Sequence, residues 1–493
     1  MFPSLLLRFG HSLAVGGLVF LMSFSMGTPF IPASAGEVGA MPHSAQLPAD
    51  LSAALREICT ASALHTTDAV TEQVQQFYTL GGYAPVWTNE NGPTDNARAG
   101  LQLLVAAQRY GLKPAEYEAA PLRSLLDSLQ ANPAQLQQRL TAEVRLTTAL
   151  LRFSQHLYRG RIENSSVRAV QMSEEQPFEA AAHLSQALHS ERFAQQLLTA
   201  QPNSRSYVRL LAAWQRLLQS DTAAARKMAL PVALNLERLR WEPRVDSLYL
   251  VVNIPAYSLQ VVRGAQVVRS HRVVVGKIET PTPEMYSKLS FFQTAPEWRM
   301  PQSIATKEVL PKLKRDRGYL ASKGFRLYDQ AGDRVDASEV NWSKISPANF
   351  AFQIRQAPSS RNALGNVVFR FANPYEIYLH DTPAKEAFQA NYRALSHGCI
   401  RLQHASDLAR FLLTRDSQRT KADRVEQMEN SIDEGETKSF GLRAAVPLMV
   451  RYQTLDADGA QLRQLPDIYH RDETLARAWE GAPVEFASAA TAQ

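Results

Sequence analysis

Leu248-Tyr249-Leu250-Val251-Val252-Asn253-Ile254 is an apolar run rich in β-branched side chains, with Asp246-Ser247 before it and Pro255 after it. A run this short, bounded by turn-forming residues, reads as a buried strand rather than a helix. Residues 259–262 and 267–275 repeat the pattern on either side of Gly264, so a β-rich domain begins near Pro243. Residues 367–371 and 377–380 form a second strand cluster, and a last hairpin is expected to start at 448–452 and turn through Asp458-Gly459. Between the clusters, residues 305–346 are polar and charge-rich, with helical stretches broken by Gly318, Gly324 and Gly332. Such a segment inside a β domain is expected to be an insertion lying over the sheet.

Upstream, from residue 51 to about 240, apolar residues recur three and four apart, as in Leu146, Leu150, Phe153 and Leu157. Similar faces span 101–107, 178–198 and 207–218. Pro85, Pro93, Pro114, Pro121, Pro133, Pro177 and Pro202 fall where helices can start or end. These stripes are packing faces without a catalytic constellation, which makes this half a scaffold. The fold class expected is α+β: an all-helical scaffold over 46–240, then a mixed β-sheet domain over 246–455. A helical lid is inserted at 299–346, and a hairpin and tail occupy 456–493.

The chain has 493 residues and no internal repeat, enough for two to four domains. Its charge of +6 is spread over 53 basic and 47 acidic residues, without the Lys/Arg stripe that a phosphate backbone requires. Nucleic acid is therefore not an expected partner. At the N-terminus Arg8 precedes an apolar run, Leu13 to Met26, that ends at the small-residue pattern Ala33-Ser34-Ala35. The run is shorter than the roughly 20 residues of a bilayer span, so residues 1–35 read as a secretory signal. The expected location is the periplasm, with membrane anchoring if the signal is not cleaved.

Two cysteines exist, Cys59 and Cys399, and in an exported protein they could pair. Cys59 lies in a helical stretch where a thiol is an ordinary small hydrophobe. Cys399 lies in Ser396-His397-Gly398-Cys399-Ile400-Arg401, just ahead of the apparent helix from Ala405. A helix N-terminus, an imidazole and a cation each favour thiolate, so Cys399 reads as a nucleophile. A thiolate needs a base, a group that orients it and donors for an oxyanion. His397 is only two residues away along the same loop, which makes direct pairing with Cys399 awkward. His380, at the end of a strand and followed by Asp381-Thr382-Pro383, can face the loop across a pocket. His380 is the expected base, its tautomer set by the carbonyl or carboxylate of Asp381, with the Gly398 and Cys399 N–H groups as the oxyanion hole.

His380 followed by Ser396-His397-Gly398-Cys399-Ile400-Arg401 resembles the active-site signature of the L,D-transpeptidases, which cross-link bacterial peptidoglycan. The resemblance spans about residues 246–478. It includes Val252-Asn253-Ile254-Pro255-Ala256-Tyr257, Gln356-Ala357-Pro358, Asn362-Ala363-Leu364-Gly365 and Tyr378-Leu379-His380-Asp381-Thr382-Pro383. It points to the large periplasmic branch, with a helical scaffold and a capping insertion, and Leu234-Asn235-Leu236-Glu237-Arg238-Leu239-Arg240 looks like that branch's lead into the catalytic domain. The three-helix peptidoglycan-binding module usual there does not fit between Gln201 and Met228.

The resemblance implies the L,D-transpeptidase fold for the β domain, His380 as base and a secondary role for His397. It also implies a donor site lined by Tyr378 and Arg401, with Trp298 in the loop beside it. By the same resemblance Cys399 takes the tetrapeptide stem as acyl donor, releases D-Ala and passes the acyl group to an amine acceptor in a 3→3 link, with carbapenem-type β-lactams as inhibitors. No metal or organic cofactor is required. Two other readings stand beside it: a cysteine peptidase or L,D-carboxypeptidase in which water resolves the thioester, and a wall-binding structural protein whose Cys399 is inert or bonded to Cys59. Nothing in the sequence sets the oligomeric state.

Overall fold

The computed structural model describes residues 49–60, 69–162, 178–245, 248–416, 421–459 and 461–481. The expected signal, residues 1–35, and Pro177 lie outside them. Among the described residues no helix is long and apolar enough to cross a membrane.

The N-terminal half is helical: α1 (Ala49–Thr60), α2 (Ala69–Leu80), α3 (Asp95–Val105), α4 (Ala119–Ala131), α5 (Leu136–Arg159), α6 (Ala180–Leu188), α7 (Phe193–Leu198), α8 (Arg205–Ser220) and α9 (Thr222–Arg240). Capping side chains set several starts. Thr94 accepts from the Ala97 N–H at 3.2 Å, and Asp221 accepts from Ala223 and Ala224 at 3.0 and 2.9 Å. Leu146, Leu150, Phe153 and Leu157 are all fully buried on α5, as a period near 3.6 requires. The scaffold is not wholly helical: Thr88–Asn89 pairs with Gly92–Pro93 in a minimal hairpin. Its backbone is held by Glu143, which is fully buried on α5 and accepts from the N–H groups of Val86, Trp87 and Thr88 at 2.8–3.0 Å.

The C-terminal half is built on nine strands: β1 (Leu248–Asn253), β2 (Ser258–Arg263), β3 (Gln266–Gly276), β4 (Met285–Thr294), β9 (Val367–Arg370), β10 (Leu379–His380), β11 (Ala394–Ser396), β12 (Ile400–Leu402) and β13 (Lys438–Arg451). Strands β5 to β8 belong to the insertion described below. The strand order is β11-β3-β12-β10-β9-β4-β13-β1-β2, and β2 also pairs with β3, so hydrogen bonding runs round a ring of eight strands. Two neighbouring pairs within the ring, β10 with β12 and β13 with β1, are parallel. Leu408, Leu412 and Leu413 of α10 (Ala405–Asp416) join Leu250, Val275, Phe369 and Leu379 in the core of this sheet.

The insertion departs from the expected helical lid. A helical segment over residues 302–313, with one π turn at Ala305–Val309, accompanies a sheet of β5 (Trp298–Arg299), β6 (Phe325–Tyr328), β7 (Arg334–Val335) and β8 (Gln353–Gln356). It has its own core of Leu310, Leu313, Leu327, Trp342, Phe350 and Ile354. Its closing strand β8 lies beyond residue 346 and pairs with both β5 and β6. Two- to four-residue strands are too short for a period-two pattern to register in the sequence.

Two further corrections concern the C-terminus. Residues 448–452 do not open a hairpin; 448–451 end the long strand β13, which lies between β4 and β1, and Tyr452 follows it. The Asp458-Gly459 turn belongs to a separate small hairpin, Leu455–Asp456 with Arg463–Gln464, which begins within the region assigned to the catalytic domain. Within the tail, α11 (Arg471–Trp479) returns to the scaffold, where Leu475 and Trp479 enter the helical core and Arg161 stacks over the Trp479 ring at 4.3 Å. Asn235 on α9 completes the junction. Its side chain accepts from the N–H groups of Thr454 and Leu455 at 2.8 and 3.1 Å.

Candidate active site

Strands β10 and β12 run parallel, with Leu379 opposite Ile400 and His380 opposite Arg401. Alternation along each strand puts Leu379 and Ile400 on the core face, where both are fully buried. The other face therefore carries His380 and Arg401 and, one residue before the start of each strand, Tyr378 and Cys399. On the far side β9 pairs antiparallel with β10, Val368 opposite His380, which brings Arg370 to the same face with its guanidinium 5.1 Å from the Tyr378 ring centroid. Tyr378 and His380 lie ring to ring at 5.6 Å.

His380 is 6% exposed and directs Nδ1–H to the main-chain carbonyl of Asp381, which leaves Nε2 as the unprotonated nitrogen. Burial, with Arg401 nearby, pulls the imidazole down to about 4, so it is neutral at pH 7. Of the two orienting groups considered, the carbonyl is the one used. The Asp381 carboxylate turns away: it accepts from the Asn366 N–H at 3.0 Å and pairs with Lys385. Asp381 is thus a positioning residue. A Cβ on Gly365, whose φ is +58°, would come within 2.5 Å of the Asp381 carboxylate, which accounts for glycine there.

Cys399 is half-buried at the end of a tight loop. Ser396 Oγ accepts from the Gly398 N–H at 3.1 Å and donates to the Cys399 carbonyl at 2.6 Å. Thr282 Oγ1 donates to the Gly398 carbonyl at 2.7 Å and accepts from the Gly276 N–H at 2.8 Å. Gly398 sits at φ +116°, and a Cβ there would lie 3.1 Å from Ile377 Cδ1. Two expectations change here. The Gly398 N–H is already engaged by Ser396 in this loop. Cys399 is also not at a helix N-terminus, because β12 separates it from α10. Burial pushes the thiol up, opposed by hydrogen bonds from the Tyr378 N–H and hydroxyl and by the charges of Arg370 and Arg401. The resting pair is therefore neutral thiol and neutral imidazole.

The Nε2 of His397 meets the carboxylate of Glu308 on the insertion's helical segment, and the left-handed Gly398 between His397 and Cys399 breaks the alternation that would set residues two apart on one side. Trp298, in β5 at the edge of the insertion, reaches the Tyr378 hydroxyl with its indole N–H. The insertion therefore touches the site at two points.

Comparison with known proteins gives this geometry a family. Residues 247–426 match an L,D-transpeptidase catalytic domain, and residues 72–213 match a scaffold domain. The C-terminal half of the chain thus holds an L,D-transpeptidase catalytic domain. A Haemophilus influenzae protein, whose name carries L,D-transpeptidase as a provisional assignment, is 34% identical over 245 residues. That is 50% of this chain and 48% of the relative, so the matched region spans about half the relative's length. Among solved structures, an L,D-transpeptidase from Mycobacterium smegmatis is 16% identical with a TM-score of 0.20, covering 42% of this chain and 58% of that one. L,D-transpeptidase 1 from Mycobacterium tuberculosis is 14% identical with a TM-score of 0.16, covering 42% and 62%.

Within the transpeptidase domain, the motifs quoted from the sequence have identifiable structural work. Asn362, fully buried, donates Nδ2 to the carbonyls of Pro296, Gln356 and Ala357 at 3.0–3.1 Å. This ties the end of β8 to the turn that supports Asp381. Asn253 brackets the main chain of Gln453 at 2.9 and 3.1 Å, joining the end of β1 to the segment after β13. The two cysteines are both free, Cys59 buried in the scaffold core and pushed up to about 11. Sequence reasoning missed Arg370, Thr282, Glu308 and Tyr469, whose hydroxyl accepts from the Thr282 N–H at 3.2 Å. Only Arg370 left a signal: a cation two residues after Val368 in a strand, on the face that holds His380.

Proposed function

We propose that the protein is an exported, cysteine-dependent L,D-transpeptidase that acts in the periplasm and forms 3→3 cross-links between peptidoglycan stem peptides. The observation that carries this reading is the shared face of Tyr378, His380, Cys399 and Arg401 on the parallel β10–β12 pair, with His380 Nε2 left open by the Asp381 carbonyl.

On this reading His380 Nε2 takes the Cys399 proton as the sulfur attacks the carbonyl of the third stem residue. Sulfur and carbonyl carbon form a bond, and the carbonyl oxygen becomes an oxyanion held by the Cys399 N–H and by the Tyr378 hydroxyl once sulfur no longer needs it. The imidazolium returns the proton to the departing amine, the C–N bond breaks and D-Ala leaves. A thioester remains. The amine of a neighbouring third residue then attacks, gives a proton to Nε2 and expels the Cys399 thiolate, which takes that proton back. Arg370 and Arg401 stabilise the anionic sulfur at both ends of the cycle, against the burial that raises the thiol. Trp298 and the rest of the insertion exclude water from the thioester, which favours the amine over hydrolysis.

Incubation with purified disaccharide-tetrapeptide tests this. A protein adduct short of one alanine, followed by a 3→3 dimer, is expected. Tripeptide alone, with no dimer at any acceptor concentration, would replace transfer with L,D-carboxypeptidase activity.

A further inference from the structure

A cavity of about 310 Å³ lies between the scaffold helices α8 and α9 and the strands β13, β1 and β2. In the ring, β3 on one side and β4 with β9 on the other stand between these strands and the β10–β12 pair that carries Cys399, and none of the residues around Cys399 lines the cavity. Gln453 lines it and is 3% exposed. Its main chain is fixed by Asn253, yet neither Nε2 nor Oε1 of its side chain has a partner. Arg451, also lining the cavity, spends one terminal nitrogen on Glu242 at 3.3 Å and the other on Ser206 Oγ at 2.9 Å, and its Nε is left over. The charges at the rim are answered within the protein: Asp458 is held by Arg205 and Gln260, and Asp456 by Arg463.

Buried polar atoms are nearly always paired, and an amide with both ends unspent beside a cavity indicates a missing complement. The unspent groups are donors from Gln453 and Arg451 and one acceptor from Gln453, with charge already balanced. Their complement is neutral and presents a carbonyl oxygen together with an N–H. A secondary amide has both, in the geometry a carboxamide side chain can meet with two bonds. The volume is at the small end of ligand sites and admits one sugar ring or one capped amino-acid residue.

We infer that this cavity is a second, non-catalytic binding site for a secondary amide, either the acetamido group of an N-acetylated amino sugar or a peptide unit. Both occur in the polymer assigned above, and only the source of the ligand rests on that reading. Occupied by a segment of polymer, the site would hold the chain on the wall while Cys399 works elsewhere.

Calorimetric titration of the full-length Cys399→Ala protein with N-acetylglucosamine, N-acetylalanine methylamide and glucose tests the inference without turnover. Saturable binding of one or both amides is expected, with glucose about tenfold weaker or more. The amide that binds identifies the source. Gln453→Met should lose about tenfold in that affinity and keep both the unfolding midpoint and the muropeptide reaction in an otherwise unaltered chain. Gln453→Glu, which keeps the shape and removes the N–H donor, serves the same purpose should the Met variant not fold. No binding, equal binding of glucose, or undiminished binding by the folded variants would overturn the site. None of these results touches the acyl transfer at Cys399, which is measured separately.

Discussion

His380 Nδ1–H is directed at the carbonyl oxygen of Asp381, while the Asp381 carboxylate faces Asn366 and Lys385. The imidazole is oriented by main chain, which a side-chain substitution at 381 does not remove. His380→Ala should therefore lower the acylation rate by roughly 10²–10⁴, whereas Asp381→Asn should retain most of it. Single-turnover acylation of folded variants measures both, and comparable losses would return the carboxylate to the proton path.

The pH dependence follows from the neutral pair. With His380 pulled down to about 4, the base remains unprotonated well below the ordinary imidazole value. The acid limb of kcat/KM should then fall near pH 4, and an acid limb at 6.5 would contradict the buried setting. Stability has the matching sign. The unfolded chain takes up a proton at this imidazole at higher pH than the folded one, so His380 contributes stability above pH 6.5 that is lost as pH falls through 6.5 towards 4. His380→Gln should flatten urea unfolding across that window.

Cys399→Ala should abolish the adduct and all cross-linking while the protein stays folded. Cys59→Ala should retain activity, since Cys59 packs as a small hydrophobe and no disulfide joins it to Cys399. Because burial raises the Cys399 thiol, alkylation of Cys59→Ala by iodoacetamide should keep rising with pH beyond the usual thiol range. A plateau below pH 8 would show a preformed thiolate.

Gly398→Ala should fold but react poorly. The left-handed φ of +116° costs a side chain roughly 1–3 kcal/mol, and its Cβ would press on Ile377 beneath the loop that carries Cys399. Reduced acylation with a modest loss in urea midpoint is the expected pair of readings. Full acylation would show that the loop tolerates another backbone path.

The insertion meets the site through His397 with Glu308 and Trp298 with Tyr378. His397→Ser should retain measurable turnover, because the Nε2 of its ring is engaged by Glu308. Replacing residues 300–352 with a short Gly/Ser linker should preserve acylation by a carbapenem more than cross-linking, and should raise the hydrolysed share. A folded deletion variant that cross-links at the full rate without added hydrolysis would remove the lid role.

The sequence by itself determined the layer types and singled out the candidate reactive residues. Apolar spacing near 3.6 marks α5 and its neighbours, β-branched runs mark β1 to β3, and a cysteine in a glycine loop beside one histidine marks the candidate nucleophile. These are local properties, set by which side chains stand within a few residues of one another. Tertiary structure decided what depends on neighbours far apart in the chain. The parallel register of β10 and β12 aligns Tyr378 and His380 with Cys399 and Arg401, and β9 adds Arg370 from a separate strand. The direction of the Cys399 shift was likewise beyond the sequence, because a nearby cation and imidazole predict a lowered thiol and only packing around the sulfur reveals the desolvation that raises it. The Gly398 N–H was spent on Ser396 by a turn whose closure also needs Thr282 from another loop. The insertion's sheet stayed hidden for a different reason: its strands are held by pairing across the segment, and pairing between short strands leaves no periodicity to read.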